Sequence, residues 1–305
     1  MSQFNAPHFQ NPEAAREYLE ALRWGDGRVC PHCGTVDSSY STKKPGVYRC
    51  ADQVCRKDFS VTTKSVMESS HIKLNVWLQA FFLMASSKKG VSAHQLHRTL
   101  GCTYKTAWFL AHRIREAMRS GGLLPPMGGA GKTVEADETY IGKLGIAPRG
   151  RKKPGSGFKN IVMTLVERGG SARSFHIDAT TLNEVTKIVR DNVHHETIIN
   201  TDEGTWYKQI GGHFLSHDTV NHSRYEYVRD NITTNTVEGY YSIFKRGMKG
   251  IYQHCAEKHL HRYLAEFDFR YSNRVRLGVN DGERAALAVK NATGKRLTYP
   301  QPRQA

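Results

Sequence analysis

The 305-residue sequence contains no long hydrophobic run and has few acidic residues for its size. No apolar stretch approaches the roughly 18–20 residues of a membrane-spanning helix, so we expect no membrane partner. The polar N-terminal residues lack the apolar core of a secretion signal, which predicts a cytoplasmic protein. No phosphate-binding loop of the P-loop type is found, and nucleotide hydrolysis is therefore not expected.

The balance of charges favours a polyanionic partner. Lysine and arginine number 44 against 28 acidic residues, which gives a formal net charge of +16. An excess of positive charge of this size indicates the kind of partner that a protein binds rather than its fold, and nucleic acid is the simplest polyanionic partner. A basic but otherwise ordinary enzyme is the alternative, and charge alone does not choose between DNA and RNA.

Four of the six cysteines form two closely spaced pairs near the N-terminus. Cys30 and Cys33 lie in CPHCG, and Cys50 and Cys55 lie in CADQVC. Without a secretion signal, such pairs predict a metal site rather than a disulfide framework. Four thiolates at this spacing indicate a zinc ribbon with structural Zn²⁺, which replaces the core that a segment of about 40 residues cannot build. Redox chemistry from a single CxxC motif is the alternative, and the second pair argues against it.

The next segment predicts three helices and a tight turn. The stretch LNVWLQAFFLMAS predicts a buried helix, Ser92-x-x-Gln95 is a capping box, and Gly101 separates a short helix from a longer one that begins near Thr103. A helix, a glycine turn and a second helix are the outline of a helix-turn-helix, whose second helix enters the major groove. The alternative is an ordinary helical hairpin. The candidate base contacts are Tyr104, Lys105 and Thr106, and the candidate phosphate contacts are Arg113 and Arg115.

Beyond a Gly/Pro-rich break at residues 121–132, predicted strands and helices alternate. The stretches TVEADETYIG, NIVMTLVER and ARSFHIDAT predict strands, TLNEVTKIVRDNV predicts a helix, and ETIINTD and HDTVNH predict further strands. The stretches NTVEGYYSIFKRGM and KHLHRYLAEFDFRY predict two closing helices. This order is typical of an α/β layer with a mixed sheet. A basic loop follows the first strand, and it either tracks DNA or is disordered; its candidate DNA contacts are Arg151, Lys152 and Lys153.

Three acidic residues occupy positions where a carboxylate is unusual unless it binds a metal or a partner or takes part in catalysis. Asp137 lies inside a strand, where its charge is costly without a metal or partner. Asp202 lies at the carboxyl end of another strand, where α/β sheets place ligands and catalytic groups. Glu238 lies near the start of a helix that is otherwise aromatic, aliphatic and basic. Converging carboxylates suit Mg²⁺ or Mn²⁺, and two such ions support in-line attack on a phosphodiester.

Five stretches together resemble a known family. They are CPHCG with CADQVCRKDFSVTTKSVM, VEADETYIGK, INTDEGTWY, NTVEGYYSIFKRGMKGIYQH and KHLHRYLAEFDFRYSNR. In this order they resemble insertion-sequence transposases with a DDE domain of ribonuclease-H-like fold, and more narrowly the bacterial group with a zinc ribbon and an Asp-Asp-Asn/Glu-Lys signature. The resemblance implies a nucleoid-associated enzyme that binds terminal inverted repeats and carries out metal-dependent cleavage and strand transfer. Its implied partners are double-stranded element ends and target DNA, and its implied state is a homo-oligomer on DNA.

The resemblance also implies roles for individual residues. Asp137 and Asp202 match the first two metal-binding acids. Both Asn235 and Glu238 match the segment that holds the third, and we favour Glu238 because a carboxylate binds Mg²⁺ better than an amide does. Lys245 matches the signature lysine, which would hold a DNA phosphate; a solvated surface lysine is the alternative.

The predicted fold is therefore an α/β, ribonuclease-H-like catalytic domain preceded by a small zinc ribbon and a helix-turn-helix. The expected segments are an N-terminal helix and ribbon at 1–66, a helix-turn-helix region at 70–120, a linker at 121–132, a catalytic domain at 133–275 and a polar tail at 276–305. Two other functions fit part of the pattern: a catalytically silent DNA-binding regulator and a ribonuclease-H-like nuclease. The retention of all three acids argues against the regulator.

Overall fold

A computed structural model of the chain describes residues 3–122, 124–144 and 158–298. These residues form two compact units. The first combines residues 3–87, 91–121 and 280–298, and the second combines residues 88–90 with the described part of 122–279. Two units are a coarser division than the five segments expected from the sequence, whose boundaries stay predictions. Within the described ranges, no helix is long and apolar enough to cross a membrane.

The first unit opens with two helices, α1 (Pro7–Gln10) and α2 (Pro12–Trp24). The side chain of Asn11 accepts hydrogen bonds from the backbone N–H groups of the first turn of α2, as a helix cap should. The N-terminal helix expected within residues 1–66 is thus confirmed, and it ends at Trp24.

A small antiparallel sheet follows, in the order β1-β2-β3. Its strands are β1 (Ser39–Ser41), β2 (Val47–Cys50) and β3 (Asp58–Ser60). The rings of Trp24, Tyr48 and Phe59 pack with centroids between 5.7 and 6.0 Å apart. This aromatic contact is the apolar core of the sheet, and it is small, as a ribbon of this length requires. The sequence predicts β2 and β3 but not the exposed β1.

Three helices continue the first unit: α3 (Leu74–Ser86), α4 (Ala93–Leu100) and α5 (Tyr104–Met118). The hydroxyl of Ser92 accepts from the N–H of Gln95, and the hydroxyl of Thr103 accepts from the N–H of Thr106. Gly101 has a φ of 64°, the left-handed conformation that lets the chain turn between α4 and α5. All three predicted helices are confirmed, and Ser92 caps α4 as predicted.

The C-terminal part of the first unit departs from the expected polar tail. Residues Asp281–Lys290 form helix α9, which begins with a reciprocal capping box between Asn280 and Glu283. Ala285, Ala288 and Val289 of α9 are buried, and the Arg284 guanidinium donates to the carbonyl of Ala85 at 3.0 Å. The sequence gives a weak signal here because the buried side chains are mostly alanine. The polar tail was therefore the wrong interpretation for residues 281–290.

The second unit is built on a five-stranded mixed sheet in the order β6-β5-β4-β7-β8. β4 pairs antiparallel with β5 and parallel with β7, while β5–β6 is antiparallel and β7–β8 parallel. This confirms the mixed α/β sheet expected from the sequence. The strands are β4 (Thr133–Ile141), β5 (Asn160–Glu167), β6 (Ala172–Ile177), β7 (Ile198–Thr201) and β8 (Ser216–Thr219).

Helices cover both faces of this sheet: α6 (Leu182–Asn192), α7 (Asn235–Gly247) and α8 (Leu260–Ser272). Val134 and Ala136 of β4 pack in one core with α6, whereas Ile141 packs in the other core with α7 and α8. Because side chains alternate along a strand, the odd-numbered residues of β4 face α7 and the even-numbered residues face α6.

Two short strands form a hairpin between β8 and α7. They are β9 (Val228–Arg229) and β10 (Ile232–Thr233), paired antiparallel. The sequence does not predict them, because each strand is only two residues long and shows no alternation. The chain then enters α7, whose last turn passes into a π-helical turn at Met248–Tyr252.

Candidate active site and nucleic-acid interface

The register between β4 and β7 aligns the first two acids. Thr133 pairs with Ile198 and Glu135 pairs with Asn200, a constant offset of 65 residues (198 − 133 = 65). The same offset relates Asp137 to Asp202, which directly follows the last residue of β7. Continued by two residues, this register would set these two half-buried residues opposite each other at the carboxyl end of β7, where parallel neighbours lie about 4.8 Å apart.

The surroundings of Asp137 disfavour its charge. Burial, together with the negative charges of Asp202 and then Glu238, raises the pKa of Asp137 to about 7. The positive charge of Lys245 acts in the opposite direction. Burial also raises the pKa of Asp202. Asp202, Glu238 and Lys245 are therefore within electrostatic range of Asp137.

Asn235 and Glu238 both lie in the first turn of α7 and are both exposed. The charge of Glu238 acts on Asp137, and its carboxylate accepts a hydrogen bond from the Thr234 hydroxyl at 3.1 Å. The backbone N–H of Asn235 donates to the Thr233 hydroxyl at 3.1 Å. Of the two candidates for the third position, Glu238 is the one coupled to the other acids.

The donor set suits a hard divalent cation, because three carboxylates supply only oxygen ligands and repel one another without one. The carboxylate oxygens of these three acids lie farther apart than the ligand atoms that surround a single bound ion. Among the described residues, a cluster of three or more potential ligand atoms within 4.8 Å of one another occurs only at four cysteines. The acids are thus neighbours whose ligand oxygens would have to draw closer to share a cation.

His222 is a neighbour of the acids that the sequence analysis did not single out. Its Nε2 lies 3.6 Å from a carboxylate oxygen of Glu238 and 3.3 Å from the Thr234 hydroxyl. Its charge also lowers the pKa of Asp202, against the larger effect of burial. His222 lies on a short turn between β8 and β9, where the sequence gives no periodic pattern to draw attention to it.

Glu138 is a second acid that the sequence analysis missed, next to Asp137 but on the opposite face of β4. Its carboxylate accepts hydrogen bonds from the Trp206 indole N–H at 3.0 Å and from the Tyr207 hydroxyl. Burial, together with the nearby charges of Asp137 and Asp202, raises the pKa of Glu138 to about 8. The contact ties β4 to the turn that follows Asp202.

Glu135 anchors the helix that carries Glu238. Its fully buried carboxylate accepts from the backbone N–H groups of Thr236 and Val237, at 2.7 and 3.0 Å, and from the Thr236 hydroxyl. Arg168 pairs with the same carboxylate at 2.6 Å. A carboxylate at a helix N-terminus satisfies free N–H groups and the helix dipole together. Strand β4 therefore holds both Asp137 and the start of α7.

The four paired cysteines meet in the first unit. Their sulfur atoms all lie within 4.8 Å of one another, with Cys30 and Cys55 at 3.8 Å and Cys33 and Cys50 at 3.6 Å. These separations are far longer than a disulfide bond of about 2.05 Å. They fit a tetrahedron of thiolates, whose edge is about 3.8 Å when each Zn–S distance is about 2.3 Å.

The candidate DNA contacts on α5 separate into two groups. Tyr104 and Lys105 are exposed and Thr106 is half-buried at the start of the helix, as expected for side chains that approach DNA. Arg113 and Arg115 are only 7% and 2% exposed, and Arg113 donates to the carbonyl of Glu68. Their burial argues against the predicted phosphate contacts, because α5 directs both side chains into the unit. Arg151, Lys152 and Lys153 lie outside the residues that the structure describes.

Comparisons with known proteins agree with both parts of this architecture. Residues 10–58 match the transposase zinc-ribbon domain, and residues 128–272 match the ISXO2-like transposase domain. The chain is also 26% identical over 283 residues to an uncharacterized protein in the transposable element ISH50 of Halobacterium salinarum. That alignment covers 86% of this chain and 91% of the relative. The chain therefore carries a transposase zinc ribbon followed by an ISXO2-like transposase domain, the two domains of an insertion-sequence transposase.

Proposed function

We propose that this chain is a DNA transposase that binds the terminal inverted repeats of its element, cleaves a strand at the element end and joins that end to target DNA. The observation that carries the proposal is the proximity of Asp137 to Asp202: the paired residues of β4 and β7 lead toward both, and after burial the charge of Asp202 contributes most to the raised pKa of Asp137. The electrostatic coupling of Asp137 to Glu238 and Lys245 supports a single site. Phosphoryl transfer needs such a cluster, because its transition state gathers negative charge on oxygen.

Asp137, Asp202 and Glu238 would hold Mg²⁺ or Mn²⁺. When bound, the cations would activate the attacking oxygen and stabilise the leaving one. The carboxylates keep the cations fixed, and Glu135 keeps the first turn of α7 against β4 so that Glu238 stays near Asp137. Lys245 would bind a phosphate oxygen of the strand, since its charge already acts across the site.

Two reactions would follow at this site. Water attacks the phosphodiester at the element end, the P–O bond to the 3′ oxygen breaks, and a 3′ hydroxyl and a 5′ phosphate result. That 3′ hydroxyl then attacks a phosphodiester of target DNA, forms the new P–O bond and releases the target's own 3′ oxygen. Each step exchanges one phosphate ester bond for another bond to the same phosphorus, so positioning and charge stabilisation supply the catalysis.

Recognition of the element ends would fall to the first unit. The start of α5 offers Tyr104, Lys105 and Thr106 to the major groove, and the turn at Gly101 supports a helix-turn-helix. Cys30, Cys33, Cys50 and Cys55 would hold structural Zn²⁺ in the ribbon. The basic loop with Arg151, Lys152 and Lys153 remains proposed as a DNA-tracking segment. The enzyme would act as a homo-oligomer on DNA of the bacterial nucleoid.

The test is an assay of the purified full chain on DNA that carries the sequences flanking its own coding region. With Mg²⁺ we expect nicks at the ends of an inverted repeat and products in which those ends are joined to a plasmid target. A matched DNA with a scrambled repeat should remain uncut. Cleavage without joining would identify a nuclease, and end binding without cleavage in any divalent ion would identify a regulator.

A further inference from the structure

One surface of the second unit exposes large side chains that neither the fold nor the proposed chemistry uses. Tyr225 is 85% exposed and Tyr227 is 53% exposed, both between β8 and β9, and Val228 at the start of β9 is 55% exposed. We call residues 221–229 the tyrosine loop. Single exposed hydrophobic residues are common on protein surfaces, but a contiguous group of this kind marks an interaction site.

Hydrogen bonds from backbone N–H groups of the tyrosine loop to the side chains of Glu203 and Asn221 hold the loop in place. The carboxylate of Glu203 accepts from the N–H groups of His222 and Ser223 at 2.9 and 3.0 Å, and from the Ser223 hydroxyl. The side chain of Asn221 accepts from the N–H of Arg224 at 3.0 Å. Tyr225 follows with a φ of 61°, a left-handed conformation that is uncommon for an aromatic residue. Its ring is therefore presented outward on a fixed support.

The loop lies beside the candidate acids. The ring of Tyr227 is 5.1 Å from the ring of His222, and the Nε2 of His222 is 3.6 Å from a carboxylate oxygen of Glu238. Glu203, which anchors the loop, is the residue directly after Asp202. A DNA strand bound at the acids would pass close to the two exposed tyrosine rings.

The charges around the rings fit a nucleic-acid strand. Arg224 and Arg229 flank the tyrosines; Arg229 pairs with Glu226, the one acid within the loop, at 3.3 Å, and the loop keeps a net positive charge. Arginines interleaved with aromatic rings are the combination that binds single strands, because the cations meet phosphates while bases stack on the rings. A second copy of this chain, which carries the same net positive charge, is a less favourable partner for this surface.

We infer that Tyr225 and Tyr227 form a stacking platform for unpaired bases of the DNA strand that enters the active site. This rests on the proposed function, and it assigns the loop a ligand: bases that have left the duplex next to the phosphodiester being cut. Stacking tolerates any base, because every base has a π face, so the platform would hold frayed DNA without reading its sequence.

The test compares two probes with the full-length protein: a short duplex, and the same duplex with a single-stranded fork carrying 2-aminopurine. We expect wild type to prefer the fork and to quench the 2-aminopurine fluorescence. Tyr225→Ala combined with Tyr227→Ala should weaken fork binding by at least about 5-fold, since stacking contributes about 1–3 kcal/mol per base, which is about 5- to 150-fold for each base stacked. Binding of the paired duplex should change little.

Two control variants distinguish the loss of base stacking from a general effect of removing exposed side chains. Tyr225→Phe should keep the fork preference, because the ring remains and only the hydroxyl is lost. Leu215→Ala removes a large side chain that is 64% exposed in the same unit and should also leave the preference unchanged. Thermal unfolding should show the same midpoint for all variants, because the altered side chains are exposed.

An unchanged fork preference in the double variant would overturn the inference, as would a wild type that binds both probes equally. If light scattering shows instead that the double variant loses self-association while fork binding persists, the surface contacts a second copy of the chain. In each of these cases a wild type that cleaves element ends leaves the proposed function standing. A wild type that binds neither probe contradicts the proposed function itself.

Discussion

At the scale of single residues, Asp268 shows how a polar group inside the second unit couples stability to pH. Its carboxylate accepts from the Tyr240 hydroxyl at 2.6 Å and from the N–H and hydroxyl of Ser174. Burial nevertheless raises its pKa from 3.8 to about 6. The folded state therefore holds this proton over a pH range in which the unfolded chain has already released it.

The raised pKa predicts that Asp268 lowers the free energy of unfolding as pH rises from about 4 to about 6, by about 3 kcal/mol in all. Asp268→Asn removes the titration while keeping the side-chain size. Urea unfolding of both proteins at matched pH should show the variant gaining stability relative to wild type across this window. A difference that stays flat from pH 4 to pH 7 would contradict the assignment.

Two single substitutions can decide whether Glu238 or Asn235 is the third residue of the metal site. Loss of groups that merely support a metal ligand costs about 10- to 100-fold, so Glu238→Gln should slow Mg²⁺-dependent cleavage by roughly 100-fold or more. Asn235→Ala should cost less than about tenfold, because it removes a neutral amide and leaves the charge of Glu238 that acts on Asp137. Cleavage rates of the two variants, measured side by side, decide between them. The reverse order would make Asn235 the third residue.

The sequence indicates Asp137, Asp202 and Glu238 because acids are conspicuous in a strand, at a strand end and on a basic helix. It does not indicate Glu135, whose partners Thr236 and Val237 are about a hundred residues away along the chain. His222 and Glu138 are missed for the same reason. Their contacts arise from the register of the sheet and from loops, and neither leaves a periodic pattern in the sequence.

At the scale of elements, the attachment of α7 to β4 makes a separate prediction. Glu135→Gln keeps one acceptor oxygen but removes the charge that faces Arg168 and the first turn of α7. The lost charge belongs to a fully buried carboxylate that accepts charge-assisted hydrogen bonds from Arg168 and from the first turn of α7, so we expect a loss of about 3 kcal/mol in the free energy of unfolding. Denaturant unfolding measures this directly.

The matched control is Glu184→Gln, because Glu184 also lies in the first turn of a helix in the same unit. That helix is capped by the Thr181 hydroxyl, and the change should remain within about 0.5 kcal/mol. Equal effects of the two substitutions would show that Glu135 does not anchor α7.

Most elements could be predicted because their signals are local. Asn11, Ser92 and Thr103 cap the helices that they precede, and the apolar alternation of β4 predicts a strand. Helix α9 was not predicted because its buried face consists mostly of small residues. The β9–β10 hairpin was not predicted because its strands are too short to show alternating apolar and polar residues. The burial of Arg113 and Arg115 depends on how α5 packs, which helical periodicity leaves open for long amphipathic side chains.

At the scale of the whole molecule, the division into two units predicts that loss of zinc unfolds the ribbon and leaves the second unit folded. Zinc binding by a ribbon supplies folding free energy, about 10–16 kcal/mol in small zinc modules. Cys50→Ser replaces a fully buried candidate ligand and should abolish stoichiometric zinc, measured by atomic absorption. Hydrogen exchange should then rise around β1–β3 while the five-stranded sheet stays protected. A fully protected ribbon in zinc-free protein would contradict the zinc assignment.

The central claim is that Asp137 and its neighbours form the site where DNA strands are cut. Asp137→Asn keeps the shape of the side chain and removes the charge that would hold a divalent cation. The most direct measurement is Mg²⁺-dependent cleavage at the element end by this variant, with Asp191→Asn on the exposed surface of α6 as its matched control. We predict that Asp137→Asn abolishes cleavage and still binds DNA, because binding comes largely from distant basic residues, and that the control cleaves normally. Mg²⁺-dependent cleavage retained by Asp137→Asn would contradict the account.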